Sequence, residues 1–195
     1  MPSKYFSNEI VFELLEVAKS PKMGELLLKQ FYLKDDKVTV EIAIEYNMIG
    51  IIEYFIRNNA SFINRVDNWG CTYLNLAIKR NRPRIIELMI KLGFNINAAC
   101  NSGFTPLHYA IRYGSEIIVK ILIENGANIE TKTHQWFMTP LMGAIMGNRL
   151  SIAKVLIEHG ASLKKRNIDG MSPLEIALQQ KKFDIALMIP HYERK

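Results

Sequence analysis

Asn101-Ser-Gly-Phe-Thr-Pro-Leu-His-Tyr-Ala-Ile-Arg-Tyr-Gly-Ser115, continued by Glu116-Ile-Ile-Val-Lys-Ile-Leu-Ile-Glu-Asn-Gly-Ala-Asn-Ile129, decides the fold. Pro106 has φ fixed near the helical value and needs no N–H at a first helical position, so a short helix starts there. Leu107, Ala110 and Ile111 share one face of that helix. Gly114 ends it, and Ser115 is placed to cap a second helix that carries Ile118, Ile121 and Leu122 inward. Gly126, tolerant of left-handed φ, stops the second helix, and a polar, turn-rich connection follows.

The pattern recurs. Thr72, Thr105, Thr139 and Ser172 open equivalent blocks at intervals of 33, 34 and 33 residues. One block has Gly70, Thr72, Leu74, Ala77, Ile85, Ile86 and Gly93. Another has Thr139-Pro140-Leu141, Ala144, Ile152, Leu156 and Gly160-Ala161. The last has Gly170, Ser172-Pro173-Leu174, Ala177 and Ile185, with Pro190 expected to cut it short. A weaker unit precedes them, aligned through Ala43. Self-similarity at this period predicts stacked supersecondary units rather than a globule around one catalytic cleft.

The sequence G-x-T-P-L-H-x-A, an apolar helix and then G-A-x-I resembles the ankyrin repeat; Thr105-Pro106-Leu107-His108-Tyr109-Ala110 carries that motif in full. The resemblance implies an all-α ankyrin-repeat solenoid of helix-turn-helix units with hairpin-like fingers. Five units are expected over residues 34–65, 66–99, 100–132, 133–166 and 167–195, the last acting as a C-terminal cap. Residues 1–33 are expected to form an N-terminal helical cap, with Ile10, Val11, Leu14 and Leu15 on one helix and Met23, Leu26, Leu27 and Phe31 on the next. An open end of a stack would otherwise leave apolar surface in water.

Bulk properties narrow the function. Of the 195 residues 49% are hydrophobic and 23% charged, as in ordinary folded domains. No apolar run reaches the ~20 residues that span a bilayer. Residues 1–18 carry Glu9, Glu13 and Glu16 and do not read as a signal peptide. The two cysteines, Cys71 and Cys100, offer no disulfide framework or four-cysteine zinc site, so reduced thiols in a cytoplasm are expected. Heavy use of isoleucine, lysine and asparagine points to an AT-rich genome, as in many intracellular bacteria and viruses.

No nucleophile elbow, phosphate loop or dinucleotide glycine pattern is present, and no two histidines stand one helical turn apart. The reading is therefore of a non-enzyme, with no catalytic residue, cofactor or metal. The resemblance assigns His108 a structural role, hydrogen-bonding neighbouring backbone. The net charge of +6 is concentrated in Lys79-Arg80-Asn81-Arg82-Pro83-Arg84, Lys164-Lys165-Arg166 and Lys181-Lys182. These allow an acidic protein, nucleic acid or anionic surface as partner. A basic stripe joined to a recognised groove- or base-reading fold is missing, which disfavours nucleic acid.

Ankyrin proteins grip through a concave surface of finger tips and first-helix ends. Carried over, the tips are Asn68 and Trp69, Ser102 and Phe104, Gln135, Trp136 and Met138, and Met171. The helix positions are Tyr46, Lys79 and Arg80, Arg112 and Tyr113, and Met146. Trp, Tyr and Arg dominate interface hot spots, and both tryptophans of the chain fall on tips. The expectation is a monomeric module binding another, possibly acidic, protein as inhibitor, adaptor or effector. The alternatives are an immunity protein against a toxin and a basic-patch binder. The finger before Thr139 has one extra residue, with Phe137 where glycine is expected, and is therefore expected to project differently.

Overall fold

Thr72, Thr105, Thr139 and Ser172 all sit in extended backbone one residue before a helix. In the computed structural model, which describes residues 36–58, 62–63 and 65–193, ten helices fall into five successive pairs. They are α1 Asp36–Glu45 and α2 Ile49–Asn58, α3 Tyr73–Lys79 and α4 Pro83–Lys91, α5 Pro106–Tyr113 and α6 Glu116–Glu124, α7 Pro140–Met146 and α8 Leu150–Glu158, and α9 Pro173–Gln179 and α10 Phe183–Glu193. The fold is all-α, in paired repeat units. The helix pair expected over residues 1–33 lies outside the described residues.

Polar residues three positions after each cap explain why these short helices start where they do. Asn75, His108 and Glu175 each reach back to the capping residue and complete a reciprocal box. In α7 that position is Met142, so Thr139 Oγ1 alone accepts from the Met142 amide. Gly114 closes α5 at φ 74°, and Ser115 Oγ then accepts from Ile118 N to open α6. Helices α4 and α8 instead start after Arg82 and Arg149, whose side chains make no cap.

Helices of this length cannot hold themselves together in water. Stability comes from stacking: α1, α3, α5, α7 and α9 pack in one row, while α2, α4, α6, α8 and α10 pack in a second row behind it. Leu74, Leu107 and Leu141 are fully buried between the rows, beside Ala77, Ala110, Ala144 and Ala177, whose small side chains let adjacent first helices approach. Leu174, the equivalent leucine of the last pair, is only partly buried, because no further pair covers it among the described residues.

The pairs are joined by fingers, each closed by one backbone bond: Asp67 N to Cys71 O, Cys100 N to Phe104 O, Thr133 N to Met138 O, and Asn167 N to Met171 O. The fingers are also bonded to one another. Asn101 N donates to Trp69 O, His134 N to Ser102 O, and Ile168 N to Trp136 O. This approach is close enough that a Cβ on Gly103 would sit 2.6 Å from the His134 nitrogen. The 133–138 finger is one residue longer than the others. Phe137 takes left-handed φ 49° where Gly70, Gly103 and Gly170 take 75–78°. A bulky residue there carries strain of about 1–2 kcal/mol.

Pro190 does not cut the last unit short, contrary to the sequence expectation. It lies inside α10, which continues to Glu193. The ring forfeits the bond to residue 186 and costs about 3 kcal/mol in a helix interior. Burial of Ile185, Ala186 and Ile189 in the core offsets that loss.

Because the register places Leu107 at the centre of two rows, Leu107→Ala should lower the unfolding free energy by about 2–5 kcal/mol in chemical denaturation. Leu187→Ala, at a side chain 77% exposed, should change it by less than about 0.5 kcal/mol.

Candidate functional site

Two adjoining grooves lie between the fingers and the first-helix row. The first, about 600 Å³, runs from Glu41 and Glu45 of α1 across α3 to α5. Of the expected residues it takes Trp69, Lys79, Arg80, Ser102, Phe104, Arg112 and Tyr113. The second, about 580 Å³, continues from α5 to α9 and takes Phe104, Arg112, Trp136, Met138, Met146 and Met171. Phe104 and Arg112 line both, so they form the shared wall. Tyr46, Asn68 and Gln135 line neither groove. All three are exposed, and Asn68 O accepts from Asn101 Nδ2 within the finger array.

Local chemistry fixes the finger tips. Asp67 Oδ1 accepts from both Trp69 N and Cys71 N at 2.8 Å, and Asn167 Oδ1 accepts from Asp169 N and Met171 N in the same way. In the longer finger Thr133, which is buried, takes over: its Oγ1 accepts from Met138 N at 3.2 Å. With the polar groups turned inward, the tip side chains face water. Trp69 is 75% exposed and Trp136 53%. Each lies three residues before its capping threonine, so the two indoles occupy equivalent positions two units apart.

The first groove has a floor that the tip and helix positions did not single out. Tyr109 stacks on Tyr113 with ring centres 6.3 Å apart and meets Phe104 edge-on. Its hydroxyl lies 2.9 Å from Cys71 Sγ. Burial raises the pKa of both groups, the contact with Cys71 adding to the effect on Tyr109. The Cys71 thiol is thus kept protonated, the opposite of what a nucleophilic cysteine needs. The signal for Tyr109 was available: it stands one turn before Tyr113 on α5.

Many of the cations are already committed. Arg80 pairs with Glu45. Arg82 donates to the carbonyls of Ile44 and Glu45, neutralising the C-terminal end of α1. Lys165 pairs with Glu130, Arg166 with Glu175, and Lys132 donates to Arg166 O. Four of the nine cations in the basic stretches, Arg80, Arg82, Lys165 and Arg166, thus tie units together among the described residues. Lys79 and Arg112 carry no ion pair among the described residues, and both face the grooves. No cluster of three or more histidine, cysteine or carboxylate side chains is placed to hold a metal among the described residues. No helix there is long and apolar enough to cross a membrane.

His108 is spent on structure. Its Nδ1 accepts from Thr105 N at 3.2 Å, and Nε2 donates to Met138 O at 3.3 Å, joining α5 to the longer finger. Burial lowers its pKa from 6.5 to about 4, so the ring is neutral at physiological pH.

Comparison with known proteins places this geometry. A model of ankyrin repeats in three copies matches residues 40–133, and a model of a single ankyrin repeat matches residues 137–168. No curated protein matches the chain.

The unfolded chain takes up the His108 proton below pH 6.5, whereas the folded chain resists it until about pH 4. Stability from this residue is complete above pH 6.5, falls between 6.5 and 4, and is level below that, a loss of about 3 kcal/mol. Denaturant unfolding at stepped pH should show that slope, and His108→Gln should remove it.

Proposed function

Because the chain belongs to the ankyrin repeat family, we propose that it works without catalysis, holding a partner protein along the face that carries the two grooves. Ankyrin repeats are protein–protein interaction modules, and the observation that carries the finer assignment is the pair of tryptophans exposed on finger tips of that face. Exposed aromatic side chains in a row cost solubility unless a partner covers them. Trp69 borders the first groove and Trp136 the second, with Tyr113, Arg112 and Met146 between them. Aromatic and arginine side chains of this kind supply most of the energy of protein interfaces.

The contact residues are the set read from the sequence, with Tyr46, Asn68 and Gln135 at the rim. The chain acts as a monomer in a reducing cytoplasm, where its two free cysteines persist. Its role is that of an inhibitor, adaptor or effector that occupies a partner's surface. The isoleucine-, lysine- and asparagine-rich composition supports a bacterial or viral source for such a protein. Within this reading the alternative role is an immunity protein that blocks a toxin. A basic-patch binder of nucleic acid or anionic surfaces is disfavoured, because Arg80, Arg82, Lys165 and Arg166 already have partners in neighbouring units.

Affinity capture with the whole chain, followed by titration of the captured partner, tests the proposal. Trp69→Ala and Trp136→Ala should each weaken binding by tenfold or more while leaving the melting temperature unchanged. Equal affinity in both variants would remove this face from consideration. A log–log salt slope of several units, with no loss on tryptophan substitution, would favour the basic-patch alternative.

A further inference from the structure

The two grooves differ in chemistry, and that difference defines what fits across them. The second is walled by Met138, Met146 and Met171, with Trp136 and Ile176, and Arg112 is its one cation among the described residues. Methionine side chains are flexible and polarizable and accommodate apolar groups of irregular shape. The anion there, Asp169, already accepts from Asn167 Nδ2 at 3.2 Å. Among the described residues the first groove holds three acidic groups, Glu41, Glu45 and Asp67. Glu45 is paired with Arg80, and Asp67 is occupied by two backbone amides. Its cations besides Arg80 are Lys79, Arg112 and Arg65, and Arg65 lies over the Phe62 ring. Counted by charge, the two linings balance among the described residues, Arg65, Lys79, Arg80 and Arg112 against Glu41, Glu45, Asp67 and Asp169. With Glu45 paired, and Asp67 and Asp169 hydrogen-bonded within their own fingers, Arg112 on the shared wall is left without an ion pair among the described residues, on a chain of net charge +6.

We propose that the occupant is an extended acidic peptide segment of the partner, with a large apolar side chain in the methionine-lined groove and a neighbouring Asp or Glu on Arg112. This rests on the assignment of the groove-bearing face as the interface and gives that interface its sequence preference. Arg112 suits the task because it stands between the grooves, exposed and without an ion pair among the described residues. Its planar guanidinium can take a carboxylate with two parallel hydrogen bonds. In an extended strand, side chains two positions apart point the same way, so one segment can present both groups to this wall.

Selection from a library of linear peptides of about a dozen residues, displayed against the whole folded chain, provides the probe. The enriched sequences should carry Asp or Glu within three positions of Leu, Met or Phe. Fluorescence polarisation with the strongest peptide should show at least a tenfold loss in Arg112→Glu. A repeat selection on that variant should enrich Lys or Arg where the acidic residue had been. A reversal of that kind is beyond a merely structural arginine, and circular dichroism melting confirms that the variant is folded. Enrichment of basic sequences, an unchanged affinity in Arg112→Glu, failure to enrich any sequence, or displacement of the peptide by oligothymidine of similar length would overturn the proposal. Peptides lost with Trp69→Ala and Trp136→Ala but indifferent to Arg112→Glu would leave the interface in place and sink only the acidic preference. Peptides indifferent to all three substitutions would sink both.

Discussion

A single helical pair of this chain has too little apolar surface to close a core, and every other property follows from that deficit. Leu74, Leu107 and Leu141 lose all contact with water only because a neighbouring pair lies on either side. The chain meets the requirement by repetition, and the alanine of each first helix sets the spacing at which the next can dock. Stability is accordingly a sum of neighbour contacts rather than the property of one centre. An enclosed active site has no natural place in such an object, whereas a long continuous face is unavoidable.

Polar groups then decide which part of that face remains available. Much of the positive charge that looks, in sequence, like a binding patch is used to join units. Arg82 quiets the carbonyl end of α1, Arg80 meets Glu45, and Arg166 meets Glu175. Histidine is used in the same way, His108 reaching from α5 to the carbonyl of Met138. Among the side chains that these commitments leave over on the groove-bearing face are two indoles, Met146, Arg112 and Lys79. Function in this architecture is read most reliably from the residues that folding does not use.

The fold was legible because its signals are local. Pro106 and Gly114 bracket a helix by backbone geometry alone, and the recurrence of the threonine positions gives the phase of the stack. Pro190 was misread for the complementary reason. A proline's cost is visible in sequence, but the burial of Ile185 and Ile189 that outweighs it is tertiary. At the candidate site, the tip and helix positions could be listed from the repeat grammar. Which of them share a groove could not, since the grooves on either side of Phe104 and Arg112 are completed by neighbouring units. The partnership of Tyr109 with Cys71 was likewise invisible, joining residues 38 positions apart through space.

The finger closed by Thr133 and Met138 shows how such a protein can change without being rebuilt. Its extra residue is absorbed at the solvent-facing tip, where His134 to Phe137 are all exposed, and Trp136 O still meets Ile168 N as if nothing had been inserted. The scaffold registers no disturbance beyond one strained φ. Loops of this type are therefore the positions at which descent can retune the choice of binding target in small steps, sampling new lengths and side chains while the stack beneath remains under constant selection for fit.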